Sequence, residues 1–243
     1  MTKHLRAIGL FTIASLISAA PCRAQDLGSA IADYFINWFP RVTQIQSEQP
    51  RWVTPLVTVT PRLEEELRYD QLWQANKLGV ATDNFGGSKG LELIPFQNTE
   101  VILGIPPWIA HNGHIERGPD VASDGWGDET FLVKYRFLSA NEDNGNYILT
   151  GFMGFSAPTG EHGNSAGHAE FTPTIAGGKG FGDFDVQSTV GVTFPNGGED
   201  RLGWTLAWNT AFQYRVMRYF WPEIETNYTW FAQGTRPARA RCS

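Results

Sequence analysis

Three places in this 243-residue chain carry residue types that do chemistry in other proteins. Gly163-Asn164-Ser165-Ala166-Gly167 has the G-x-S-x-G spacing of a serine nucleophile, with His162 and His168 beside it as candidate bases. That chemistry needs the serine on a sharp turn between a strand and a helix. Here the surrounding residues read as a polar loop between two strands, so the hydrolase reading lacks its frame. His111 and His114 with Asp120 and Asp124 offer metal-ligand types, again on a loop, where such groups are more often solvated than held to a coordination geometry. Gly177-Gly178-Lys179-Gly180 has phosphate-loop composition without the helix that must follow it, and reads as turn chemistry. The expectation is no catalytic residue, no metal and no cofactor.

A fourth set is dispersed along the chain and shares a periodicity rather than a motif. In the stretch Trp126–Gly160, Phe131, Val133, Tyr135 and Phe137 alternate with Thr130, Leu132, Lys134 and Arg136. Strand side chains alternate between faces, so one face is apolar and aromatic and the other ends in two cations. Such a strand separates a greasy environment from a wet, charged one. The same contrast recurs at Phe184–Phe194, where Asp185 and Gln187 oppose Phe184 and Val186, at Trp204–Arg215, and at Glu223–Phe231. Reading Arg62–Tyr69 as a strand as well, the wet face collects Arg62, Arg68, Lys134, Arg136 and Arg215 against Glu64, Glu66, Asp185, Glu223 and Glu225, with Gln187 among them. Five cations against five anions give no strong net field, so a sharply ion-selective pore is not expected. A filled, charge-laddered interior and a path for a solute both fit these residues.

The elements that must position them are strands. Hydrophobic content is 42% and mean hydropathy is −0.27, values equally natural for a soluble β-protein and for a membrane barrel whose strands alternate apolar and polar. A net charge of −6 argues against a nucleic-acid binder, which carries a basic stripe. Lys3, His4 and Arg6 precede an apolar run, Ala7–Ala20, shorter than the ~20 residues of a helical span. Cys22-Arg23-Ala24 then presents small residues at the positions a signal peptidase reads, which places cleavage between Ala24 and Gln25. After cleavage Cys242 would be the single cysteine, so no internal disulfide is expected. Residues 25–50 show near-helical spacing at Ile31, Tyr34, Phe35, Trp38 and Phe39 and form a periplasmic or plug-like segment with a short helix. Residues 51–231 carry the strands, and 232–243 form an irregular basic tail.

Between the strands, loop lengths alternate. Long connections at 74–88, 109–125 and 158–169 are interleaved with short ones at 97–98, 139–145 and 181–183. Three strands heading for the long-loop end finish in Pro107, Pro158 and Pro195, where proline stops a ladder without harming a central pairing. Aromatic residues gather near strand ends on the apolar face (Phe131, Phe137, Phe184, Phe194, Trp204, Tyr214, Trp230), as girdles at a membrane interface do. The fold class expected is all-β: an antiparallel up-and-down transmembrane β-barrel with short turns in the periplasm and long loops outside. Outer-membrane lipid and the barrel assembly machinery are the expected partners, with a small-molecule solute of unknown identity and no nucleic acid.

Several segments resemble the bacterial family called "MetA-pathway of phenol degradation". They are Trp52–Glu64, Leu67–Asp70, Gly90–Pro95, Gly127-Asp128, Lys134–Phe137, Pro158–Gly160 and Phe184–Gln187, within a span of roughly 50 to 231. The resemblance implies an outer-membrane β-barrel linked by name to aromatic catabolism, and it brings no catalytic residues. The chain departs from that pattern at its end. Nine strands are counted from Arg62 to Phe231, whereas a closed barrel with a periplasmic N-terminus needs an even number. The tail after Phe231 has no hydrophobic alternation, so a truncated or frameshifted reading frame is the expectation, leaving an open edge. Three functions remain open at this point: a barrel that admits small, in particular aromatic, molecules; a barrel-resident hydrolase using Gly163–Gly167; and a periplasmic β-sandwich binding protein.

Overall fold

The computed structural model describes residues 24–75, 81–87, 89–112 and 123–232. The basic head, the apolar run and the tail after Ala232 lie outside these residues. Ala24 and Gln25, flanking the expected cleavage point, open the first helix, α1 (Ala24–Ile36). That helix belongs to a compact unit of its own, ending at Asn37.

From Trp38 the chain forms a second unit. It begins with α2 (Trp38–Ser47), followed by an irregular strap, residues 48–65, with no regular secondary structure. Among the described residues, thirteen strands follow. They are β1 (Glu66–Leu67), β2 (Gln71–Ala75), β3 (Ala81–Phe85), β4 (Gly90–Phe96), β5 (Thr99–Gly104), β6 (Trp108–Asn112) and β7 (Gly125–Trp126), then β8 (Glu129–Ala140), β9 (Tyr147–Ala157), β10 (Glu170–Phe181), β11 (Phe184–Pro195), β12 (Trp204–Tyr214) and β13 (Glu223–Ala232). A one-turn helix, α3 (Glu199–Leu202), precedes β12.

Nine strands form one antiparallel sheet in the order β1-β4-β5-β8-β9-β10-β11-β12-β13. Its nine members follow the antiparallel meander expected from the loop alternation, four further strands lie outside it, and the described residues are mostly antiparallel β. Phe181 and Phe184 are paired, so Gly182 and Asp183 alone make the β10–β11 turn. Gly182 has φ +64, a left-handed conformation that a glycine adopts without a Cβ clash. Pro158 directly follows β9 and Pro195 is the last residue of β11, while Pro107 stands between β5 and β6.

Two expectations are corrected. The Arg62–Tyr69 strand shrinks to Glu66–Leu67, which pair with Glu92 and Leu91. Arg62 and Glu64 belong to the strap, and Pro61 starts no strand; its carbonyl accepts a hydrogen bond from Thr150 Oγ1 at 2.6 Å. The alternation at 62–65 comes from packing across the sheet instead. Leu63 is fully buried against Val42, Ile45 and Ile94, while the carboxylate of Glu65 accepts from Trp38 Nε1 at 2.6 Å and from the Ile94 amide at 2.8 Å. Second, the long connections at 74–88 and 109–125 are not plain loops. They contribute β3, β6 and β7 to a separate four-stranded sheet, β2-β3-β6-β7. Its strands are of five residues or fewer, too short and too weakly patterned to stand out in the sequence.

The nine-stranded sheet is curled. Laid flat, eight inter-strand gaps of about 4.8 Å would set its edges about 38 Å apart. Yet one strap residue, Leu56, touches both. Its amide donates to Glu223 Oε1 on β13 at 3.1 Å, and its carbonyl accepts from Arg68 Nη2, one residue past β1, at 3.0 Å. β1 and β13 are not paired with each other.

Candidate functional site

The two faces of the curled sheet differ in chemistry in the sense the alternation implies. On β8, Lys134 and Arg136 are 1% and 3% exposed, whereas Phe131, Val133, Tyr135 and Phe137 are 39–51% exposed. The covered face continues through Glu92, Glu100, Thr150, Asp185, Gln187, Thr189 and Gln213, all buried. Charged and amide side chains are therefore inside, and large apolar side chains are bare.

What covers the polar face is the strap and α2. Burying an unpaired polar group costs about 1–3 kcal/mol, and the inner side chains avoid that cost by bonding the strap's backbone. Arg136 donates to the Ile45 carbonyl (2.9 Å) and pairs with Glu48 (3.1 Å). Ser139 donates to the Glu48 carbonyl, and Asn141 to that of Ser47. Lys134 Nζ reaches Glu100 Oε1 (2.7 Å) and the Arg62 carbonyl (3.2 Å), while Glu100 Oε2 accepts from the Glu64 amide (2.6 Å). Gln187 accepts from Thr60 Oγ1 and donates to the Val53 carbonyl. Glu225 holds the amides of Val57 and Thr58 (2.7 and 2.6 Å). Gln49 bonds Leu63 through both its amide oxygen and its amide nitrogen, as a strand neighbour would. The polar face is a cradle for a peptide threaded across it.

This sorts the residues expected to line the interior. Lys134, Arg136, Asp185, Gln187, Glu223 and Glu225 lie on the covered face of the sheet. Arg62 and Glu64 pair with each other at 3.2 Å within the strap, and Arg62 also donates to the Trp52 carbonyl. Glu66 is an exposed residue of the β1 edge, and Arg68 sits just beyond it, paired with Asp70 at 3.0 Å. Arg215 also falls outside the covered face: it lies past the end of β12 and pairs with Asp183 of the β10–β11 turn at 2.7 Å. Residues not anticipated from sequence are Glu48, Gln49, Glu100 and Thr150. Glu100 gave no signal, because Val101, Ile102 and Leu103 follow it as an unbroken apolar run in β5.

The loop motifs do not assemble into chemistry. Ser165 Oγ accepts from the Gly167 amide at 2.9 Å within its own loop. The His162 ring bonds the Asp124 carbonyl at 3.0 Å, and His168 packs against Gly197 and Gly198. The loop lies between β9 and β10, with no helix after the serine. Asp128 organises it instead, accepting from the amides of Gly160 and Ala166 at 2.9 and 2.8 Å. The His111 amide donates to Asp124 Oδ1 at 2.7 Å, with its ring Nδ1 3.8 Å from the same oxygen; His114 and Asp120 fall outside the described residues, and among the described residues no group of three His, Cys, Asp or Glu gathers for a metal. Gly177–Gly180 are paired residues inside β10.

The bare face is ordered too. At the long-loop end Phe131, Phe155, Phe171, Phe194 and Trp204 form a continuous row across β8 to β12, with successive ring centroids 6.3, 5.3, 5.8 and 5.9 Å apart. At the short-turn end stand Phe137, Tyr147, Phe181, Phe184 and Tyr214. On β10, β11 and β12 the two rows are ten residues apart (171 to 181, 184 to 194, 204 to 214). Ten residues of strand rise about 33 Å, or about 25 Å along the normal at the ~40° tilt of a membrane barrel. No described helix is long and apolar enough to cross a membrane.

Comparison with known proteins returned no match: no family model, no curated protein and no solved structure is similar to the chain. The likeness to the phenol-degradation family rests on the quoted segments alone.

Proposed function

We propose that this chain is a β-barrel-type protein of the bacterial outer membrane that binds or admits small molecules, aromatic ones being the class its sequence resemblance favours. The observation that carries the reading is the inversion of faces: buried Lys134, Arg136, Asp185 and Gln187 against a bare apolar face bounded by two aromatic rows. In water, a continuous bare apolar face of this kind is an aggregation liability. In a bilayer, both faces are in their proper solvent, and rows about 25 Å apart sit at the two interfaces.

The strap qualifies the passage. A solute crossing the interior meets the peptide of residues 49–65, so admission depends on that peptide yielding. Refolded full-length protein is the material for the test, by heat-dependent gel mobility, outer-membrane fractionation and vesicle swelling. A heat-shifted band, outer-membrane residence and swelling with small solutes are expected. Recovery as soluble periplasmic protein sinks the membrane reading, and membrane residence without solute flux sinks the passage.

A further inference from the structure

Resting on the reading that this chain takes in small aromatic molecules, we infer that the niche around Trp52 is a seat for a planar aromatic solute bearing one N–H or O–H donor. The strap's own indole occupies that seat and keeps it shut until such a solute competes for it. Trp52 is the one buried tryptophan among the described residues, 4% exposed, in a sheet that turns its aromatic rows outward. A buried indole N–H ordinarily finds an acceptor. Nε1 of Trp52 is buried with no hydrogen-bond partner.

Glycine makes the floor of the niche. Gly178 and Gly180 lie on the covered face of β10, paired with Gln187 and Asp185 of β11. A Cβ at Gly178 would overlap the six-membered ring of Trp52, and one at Gly180 would overlap the Asn146 carboxamide. Two glycines of the Gly-Gly-Lys-Gly run thus clear room for a ring, as glycine inside a strand does where another group approaches closely. The ring is held only through the strap's peptide. The Arg51 amide donates to Glu142 Oε1 at 2.7 Å, and the Trp52 carbonyl accepts from Arg62. Neither bond belongs to a strand ladder, so Trp52 leaves with the strap and the sheet stays paired.

Beside the ring, the niche offers acceptors that the indole does not use. Asp185 Oδ2 and Asn146 Oδ1 are buried without partners, on residues 1% and 8% exposed. With Trp52 they line one cavity of about 10 Å³, room for a single water. A water there donates to both oxygens and accepts from Nε1, which matches all three groups while Trp52 is in place. A free ring has no peptide tether, so it can close that gap, displace the water and donate directly to an acceptor. The charge of the rim narrows the class further. Glu142, Asp183 and Asp185 line the cavity against Arg215 alone, and like charges repel across a contact. Neutral donors of the indole or phenol kind are therefore accepted ahead of aromatic carboxylates.

The test uses full-length protein refolded in detergent, with indole as ligand and indene, its isostere without a donor, as control. In unaltered protein, saturating indole is expected to raise protease cleavage within residues 49–65 at least threefold, with indene leaving it unchanged. Trp52→Ala empties the seat and is expected to bind 5-fluoroindole, by fluorine NMR titration, at least tenfold more tightly than unaltered protein does. Indene should displace that probe at least tenfold less well than indole, and adding Gly178→Ala should weaken its binding at least tenfold. If Trp52→Ala does not refold, judged by heat-dependent mobility, the cleavage assay on unaltered protein decides alone. Equal responses to indole and indene, or a strap that responds to neither, overturn the seat even where vesicle swelling shows that solutes pass. Absence of swelling with every solute takes down passage alone, because cleavage and titration need no flux.

Discussion

Replacing Lys134 by methionine asks whether the strap is fastened by the buried pair beneath it. Lys134 and Glu100 are 1% and 0% exposed at the side chain and 2.7 Å apart. Methionine nearly fills the lysine's volume, so the change is one of charge rather than of packing. It strands the Glu100 carboxylate, whose other oxygen still holds the Glu64 amide, and it leaves the Arg62 carbonyl without its donor. Removing one partner of a buried pair costs about 3–5 kcal/mol, because the other charge is left uncompensated. The double variant Lys134→Met with Glu100→Gln is expected to recover most of that loss, since glutamine still accepts from Glu64 and carries no charge. Urea unfolding of protein refolded in detergent gives both values, and limited proteolysis within residues 49–65 reports whether the strap has lifted. A single-variant cost below about 1 kcal/mol, with an unchanged cleavage pattern, would refute the idea that this pair anchors the strap.

Three further outcomes are expected. Val190 is half exposed at mid-height of the bare face on β11, so Val190→Arg costs about 2–4 kcal/mol on folding into a bilayer, against less than about 0.5 kcal/mol for a surface site in water; vesicle folding titrations distinguish these. Gln187→Ala leaves Thr60, Gln213 and the Val53 carbonyl short of their partner and is expected to lower stability by about 2–3 kcal/mol, the cost of stranded buried polar groups, read from the urea midpoint. Lys89, just outside β4, is 6% exposed with its amine unpartnered, and burial, with Arg68 nearby, pushes its pKa down to about 8. The unfolded chain then holds this proton up to about pH 10.4 while the folded one releases it near 8, so stability rises as pH climbs through that window and falls again on the way down. Lys89→Met should flatten the rise and be the more stable form at pH 7, by thermal unfolding at both pH values.

The sheet was legible in the sequence wherever the two faces of a strand meet different surroundings. At Phe131–Phe137 and Phe184–Phe194 the period of two is nearly unbroken, because burial acts on one face and not on the other. The same logic misled at Arg62–Tyr69. Leu63 is buried there from an irregular peptide, beside a Glu64 that is buried too, and one apolar residue among charged neighbours reads in sequence as a strand position. The interior residues were readable as wet-facing, but not what wets them. Lys134 facing water and Lys134 bonding a backbone carbonyl leave identical marks on the sequence of β8. Arg215 slipped past the end of its strand, where the turn and not the period decides direction. Ser165 showed the opposite failure: a motif complete in letters whose loop is organised by Asp128, a residue with no place in that motif.

Much of the grip on the strap is on its peptide groups. Its carbonyls at 48, 53, 55, 56, 61 and 62 and its amides at 51, 56, 57, 58 and 64 are bonded by side chains of the sheet and its flanking turns, while the side chains of Val53 and Leu56 stand bare. A wall that reads backbone reads shape and not identity. Variation should therefore be unequally distributed: the strap's exposed side chains are free to change, proline excepted at 51, at 56 to 58 and at 64 where it would delete a bonded N–H, whereas the few wall residues that do the holding are not. The mobile-looking, irregular part of the sequence is the permissive one, and the constraint lies in strands tens of residues away.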